Sequence, residues 1–260
     1  MKLNSVKATL LVAFIILTGT LTYFGLNRSK ASIDFKAIEA KNAEEMRTQT
    51  EEEFANVLKN IGSSTSVVKP EILQSTDTAK LSLSIQLLDT MKQYIYAGVL
   101  SERLAGIQKS AHRYHMAARY FLLATEDHKN ELMLFKKAKG NLETCIEMTP
   151  NNLDAKVDLA VSIYNINGWQ KPENTSDLMR PALLLREVVK EDPNHIDGLY
   201  YLGKLAIESN QLEKAIERFK KLVSLQPQNR EFYLELSGIY KMMGNETESK
   251  AWADKASAIK

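Results

Sequence analysis

A chain of 260 residues, 44% hydrophobic and 25% charged, is long enough for one or two domains and ordinary in composition for a globular protein. A formal net charge of +2, without any long Lys/Arg run, excludes a general electrostatic pull toward nucleic acid or an anionic membrane. The single cysteine, Cys145, excludes an intrachain disulfide, and 11 glycines with 6 prolines suit long helices joined by few irregular connections.

Residues 1–7 form a short cationic tail carrying Lys2 and Lys7, and residues 8–27 contain no charged side chain. Twenty apolar-rich residues at about 1.5 Å each span about 30 Å, the thickness of a hydrocarbon core. The stretch is therefore read as a single-pass transmembrane anchor. The competing reading is a removed signal peptide. That needs a shorter apolar core, and its nominal small-x-small site, Ser29-Lys30-Ala31, has Arg28 and Lys30 crowding the cut. Orientation is argued both ways. Arg28, Lys30, Lys36 and Lys41 outnumber Lys2 and Lys7, which favours a cytosolic C-terminal side. A seven-residue cationic tail ordinarily stays in the cytosol while the polar remainder crosses, and this places the C-terminal domain outside the cytosol, on the periplasmic side in a bacterium.

Residues 28–80 read as a charged helical spacer ending in a flexible linker. Phe35, Ile38, Met46, Phe54 and Val57 are too sparse for a heptad seam, and the run Glu51-Glu52-Glu53 is read as an exposed face. Gly62-Ser63-Ser64-Thr65-Ser66, then Lys69-Pro70, mark a break before the last domain, residues 81–260.

From Leu81 onward helical periodicity is nearly continuous. The first segment predicts one helix with Leu83, Leu87, Leu88, Met91 and Tyr94 on its apolar side, loosening near Gly98. Further on, a period appears. Pro193 and Pro227 lie 34 residues apart, and between them Leu199, Leu202, Gly203 and Ala206 form one stripe and Ala215, Phe219 and Leu222 a second. Ala138, Leu142 and Cys145 precede Pro150 by the same intervals at which Ala215, Phe219 and Leu222 precede Pro227. The unit before Pro193 carries Leu159, Ala160 and Ile163, then Leu185 and Val188. Its proline-to-proline distance is 43, nine more than the period. The excess falls in residues 167–175, read as a loop between two helices, with Trp169 as its residue of interest and the second helix starting late, near Leu178 to Pro181. The last unit carries Tyr233, Leu236, Tyr240 and Gly244, then Ser249, Ala253 and Ala256, with a polar outer face suited to a cap.

The order of large, small and aromatic positions at a 34-residue period resembles the tetratricopeptide repeat. The expected fold is accordingly all-α, a helical-repeat solenoid of about three to four helix pairs following the anchor and spacer, with the clearest repeats at 153–193, 196–229 and 230–260. The whole chain is similar to anchored tetratricopeptide proteins of bacteria, of Bacteroidetes type.

The resemblance implies a curved stack whose concave groove is lined by the first helix of each unit. Carried over, the groove positions are Asp154, Val157, Asp158, Val161 and Tyr164; then Asp197, Tyr200, Lys204, Ile207 and Glu208; then Glu231, Leu234, Lys241 and Met242. The Lys/Asn/Arg set with which the family grips a terminal carboxylate is absent, since Asp158 stands where Asn is wanted. A mixed apolar, aromatic and acidic groove suits an extended or helical protein segment with apolar anchors and some positive charge.

No catalysis is expected. There is no Gly-rich phosphate loop, nucleophile elbow or H-E-x-x-H, and Cys145 falls at a position buried in the repeat family. His112 and His115 lie one turn apart but lack further ligands at a matching offset, so no metal or other cofactor is expected. The functional expectation is a membrane-anchored scaffold that binds a protein or peptide and supports assembly of a membrane complex. The alternatives are a chaperone-like subunit presenting apocytochrome in cytochrome c maturation, and a self-associating structural protein.

Overall fold

The structure, a computed structural model, describes residues 41, 44–45, 48, 51–52, 70–127, 130–169 and 175–259. The chain divides into two units, 1–49 and 50–260. In the first, Lys41, Glu44, Glu45 and Thr48 are helical and exposed, with Lys41 and Glu45 paired one turn apart at 3.6 Å. The expected anchor at 8–27 lies outside the described residues. Among the described residues no helix is long and apolar enough to cross a membrane.

Among the described residues from Pro70 onward a single helical turn, Pro70–Leu73, precedes ten longer helices, and the described residues contain no strand. They form five successive pairs: α1 (Thr78–Thr90) with α2 (Tyr94–Gln108), α3 (Ala111–Leu123) with α4 (Glu131–Met148), α5 (Leu153–Trp169) with α6 (Thr175–Glu191), α7 (Ile196–Glu208) with α8 (Leu212–Leu225), and α9 (Arg230–Met242) with α10 (Glu246–Ser257). Five pairs exceed the three to four expected, because the degenerate stretch before Leu153 folds as two full pairs.

Local chemistry places the boundaries. Side-chain oxygens of Asp77, Ser110, Asn152, Asn229 and Asn245 accept backbone N–H bonds at the starts of α1, α3, α5, α9 and α10. His195 does the same for α7 through Nδ1, which accepts from the Gly198 N–H at 3.2 Å. Within pairs the reversal uses a left-handed residue: Lys92 (φ 56°), Asn210 (φ 56°) and Gly244 (φ 74°). Asn210 and Gly244 are one 34-residue period apart.

The break at Lys92 corrects the reading of a single first helix. It separates α1 from α2 and resets the phase, so Leu81, Ile85 and Leu88 turn inward while Leu83 and Leu87 are 69% and 61% exposed. Gly98 sits inside α2, where a Cβ would meet the Phe121 ring at 2.8 Å; the missing side chain lets α3 close on α2. Gly203 plays the same part against Phe219 at 2.7 Å, between α7 and α8.

The apolar stripes read from the period face inward, except that in the last unit Tyr233, Tyr240 and Ala253 are half-buried and Gly244 is exposed. Ala138, Leu142, Cys145, Ala215, Phe219 and Leu222 have no exposed surface, and Leu159, Ala160, Ile163, Leu185 and Val188 are buried with them. Buried side chains form successive clusters along the stack, each joining neighbouring helices, as expected where a lone pair cannot bury its own apolar face.

A charged contact ties part of the spacer to this unit. The Lys137 ammonium, 3% exposed, lies 2.6 Å from Glu102 and 2.7 Å from Glu51, above the Phe121 ring. Glu51, expected on a solvated face, is exposed and also pairs with this buried lysine.

The third pair also departs from expectation. Asn167, Gly168 and Trp169 belong to α5 rather than a loop, and α6 starts at Thr175 rather than near Leu178 to Pro181. Pro181 therefore lies inside α6, where its missing N–H removes one bond of the ladder. The side chain of Trp169 lies outside what the structure describes.

Candidate partner-binding face

The first helices of successive pairs, α3, α5, α7 and α9, lie side by side, and most of the expected groove residues are on them. The structure gives many of these residues a neighbour on the next helix. His115 Nε2 of α3 meets Asp158 Oδ2 of α5 at 2.8 Å. Tyr164 of α5 donates to Glu208 of α7 at 2.6 Å. Tyr200 and Lys204 of α7 donate to Glu231 and Glu235 of α9, each at 2.8 Å. His195 Nε2 reaches back to Asp154 at 3.1 Å. These ties fix the lateral spacing of the first helices and leave a row of acidic and phenolic groups along one face.

The remaining positions separate by exposure. Asp197, Lys241, Leu234 and Met242 are exposed, the last two at 45% and 60%, while Val161 and Ile207 are half-buried. Val157 is 2% exposed and packs with Ala160, Leu185, Val188 and Leu202. It offers no surface to a partner, because its position on α5 points between helices. On α9 the exposed set Glu231, Leu234, Lys241 and Met242 lies opposite the buried set Phe232, Leu236 and Ile239.

Three residues absent from the expected groove, His115, His195 and Glu235, complete its polar ties. Their signal in the sequence is spacing. The α7–α9 contacts join residues 31 apart, a repeat less one turn. The α5–α7 contacts, which span the nine extra residues, join residues 41 and 44 apart, and His115–Asp158, which does not span them, joins residues 43 apart.

The electrostatics follow from these contacts. The Tyr164 phenol is pushed up to about 12, first by its hydrogen bond to Glu208 and then by burial and the carboxylate's charge. Tyr200 is raised as well, by burial first and then by its bond to Glu231. A raised phenol pKa means the folded chain keeps its proton where the unfolded chain has lost it. The contribution of the Tyr164–Glu208 tie is therefore complete below pH 10 and is lost as pH rises toward about 12. Glu208→Ala should return the Tyr164 midpoint toward the ordinary value, followed at 295 nm with Tyr164→Phe as the blank. An unmoved midpoint would show that Glu208 is not the cause.

His115 spends Nε2 on Asp158, and His112 is exposed, so the two histidines do not converge. Among the described residues no group of three or more His, Cys, Asp or Glu could hold a metal ion. The Cys145 thiol is buried and its pKa raised by that burial, which keeps it protonated and poorly nucleophilic.

Residues 182–233, which run from α6 to the start of α9, match the family described as tetratricopeptide repeat. The fold is similar to that of MamA from Desulfovibrio magneticus RS-1, at a TM-score of 0.57 and 15% identity, covering 71% of this chain and 96% of that one. A second crystal structure of MamA gives a TM-score of 0.53 at 15% identity, covering 66% of this chain and 91% of the other. At this identity the likeness concerns fold alone. The 34-residue period, the helices closed by glycine against phenylalanine, and the match across 182–233 together identify a tetratricopeptide repeat in this part of the chain.

Proposed function

We propose that this chain is a membrane-anchored scaffold whose first helices hold a segment of another protein. The observation that carries the reading is the outward face of α9 with its neighbour α7. There Leu234 and Met242 present apolar surface on the face of α9 that also carries Glu231, and Asp197 is exposed on α7. Large apolar side chains left open on a face rimmed by charge suit a partner that brings its own apolar anchors. The acidic rim selects a segment carrying some positive charge. Residues 8–27, apolar and uncharged, would tie the scaffold to a bilayer, and the cationic tail before them favours an extracytoplasmic repeat domain.

The test is photocrosslinking of the full chain in its own membranes, with benzoylphenylalanine at position 234 or 242 and, as a control, at the exposed outer position 220. Adducts to the same protein from 234 and 242 but not 220 are expected, and they should weaken with Glu231→Lys. Equal adducts from all three positions, or none from 234 and 242, would defeat the reading. Recovery of the chain in the soluble fraction after alkaline washing would separately defeat the anchor.

A further inference from the structure

The nine extra residues of the third pair have a second consequence. The third and fourth pairs pack through Val188, Leu202 and Gly198, but a gap remains beside the stretch where α5 runs on to Trp169 and α6 begins before Pro181. A cleft of about 800 Å³ opens there, a size in the range of ligand sites. Its apolar lining includes Met179, Pro181, Leu202 and Leu205, and Met179 is 51% exposed.

The polar lining is unbalanced in charge. Arg186 comes from α6, and Lys214 and Arg218, one turn apart, come from α8. None of the three has a salt bridge to a carboxylate among the described residues. The Lys214 ammonium bonds the amide oxygen of Gln211 at 2.7 Å, and Arg218 leans on the Lys214 carbonyl at 3.4 Å. Among the described lining residues the one carboxylate, Glu208, accepts from Tyr164. Burial foremost, and then Arg186, lower the Arg218 pKa against the opposing pull of Glu217. Two guanidinium groups that line one cleft with apolar side chains, and repel each other, are a site that an anion would relieve.

We infer that the cleft between the third and fourth pairs binds an acidic protein segment, seating an apolar side chain against Met179, Leu202 and Leu205 and its carboxylates on Arg186, Lys214 and Arg218. The occupant is a peptide because the cations are spread over two helices. Lys214 and Arg218 alone stand a helical turn apart, on the order of 6 Å. That spacing suits successive carboxylates along a chain better than one headgroup. The site shares Tyr164 and Glu208 with the first-helix face, but its cations lie on α6 and α8, whereas the rim of that face is acidic and selects the opposite charge.

The experiment uses the full-length chain in neutral nanodiscs and a fluorescein-labelled dodecapeptide of alternating glutamate and leucine, followed by anisotropy. The wild type is expected to bind it and to lose affinity as salt rises. Arg186→Glu with Arg218→Glu should weaken binding on the order of 10- to 100-fold. Lys80→Glu with Lys250→Glu, which changes net charge equally at distant exposed sites, should leave it within about threefold by the weak, screened coupling of distant charges. Ala182→Trp, which keeps all three cations and fills the cleft, should weaken binding comparably to the arginine pair. It guards against loss by misfolding, which circular dichroism of each variant also checks. Asp197→Lys with Glu231→Lys should leave this binding intact while abolishing crosslinking at the first-helix face, so the two sites fail separately. The inference is overturned by absence of binding, by equal losses in the two double variants, or by Ala182→Trp binding as the wild type does. It is also overturned if phosphatidylglycerol vesicles, and not the peptide, bind in a manner dependent on Arg186 and Arg218, which would make the cleft a lipid site.

Discussion

Phe219→Ala should lower the unfolding free energy by about 3–5 kcal/mol, the range for truncating a buried aromatic. Phe219 has no exposed surface and stands against Gly203, which has no side chain to move into the gap. Tyr200 packs its ring edge to face with Phe219 at 5.9 Å, and Leu222 and Ala215 flank it on α8. A cavity bounded by helix backbone on one side collapses poorly, which places the cost toward the upper end of that range. Because the stack couples only neighbours, the loss should concentrate in the fourth and fifth pairs. Urea unfolding gives the total, and hydrogen exchange locates it, with amides of α7–α10 losing protection before those of α3 and α4. A loss below about 1 kcal/mol, far under that expected for a core aromatic, would mean the register of α8 is wrong.

A comparable loss, roughly 3–5 kcal/mol, is expected when Glu51 and Glu102 are both replaced by alanine. The cost is set by the residue that remains. Lys137 is 3% exposed, and removing both carboxylates takes away two of the charges that compensate its removal from water. Asn141 also loses the acceptor to which it donates at 2.8 Å. Adding Lys137→Met should restore most of the stability, because an apolar chain of similar length fills the same channel without the desolvation penalty. The cycle is read by urea denaturation of the four variants. If the alanine pair alone is silent, Glu51 and Glu102 do not hold the lysine. If Lys137→Met fails to rescue, the loss belongs to packing and not to charge.

How much of this was legible in the sequence depended on whether the information was periodic. Ala215, Phe219 and Leu222, and their counterparts Ala138, Leu142 and Cys145, could be placed in the core because the same intervals recur before Pro227 and Pro150. The first pair has no such partner to align with. Without it, Leu83 and Leu87 looked as apolar as Leu81 and Ile85, and only the left-handed turn at Lys92 decides which face is inside. The groove positions were found as positions, since period and family supply them. Their chemistry was not, since Asp158 and Glu231 meet side chains a repeat away whose identities no local pattern constrains. Val157 shows the limit of carrying positions over: a one-residue phase difference on α5 turns a surface residue into a core one. The cleft needed the proline and the surplus residues to be read together, and the expected late start of α6 concealed it.

His195 has both ring nitrogens engaged at once, Nδ1 accepting from Gly198 at the start of α7 and Nε2 directed at Asp154 of α5. That wiring admits a single neutral tautomer, with the hydrogen on Nε2, and leaves no lone pair free for an electrophile. Acylating reagents would therefore modify this imidazole only when the seam between the third and fourth pairs parts, while exposed His112 reacts at once. The ratio of the two labelling rates becomes a native clock for breathing at that seam, requiring no dye and no substitution.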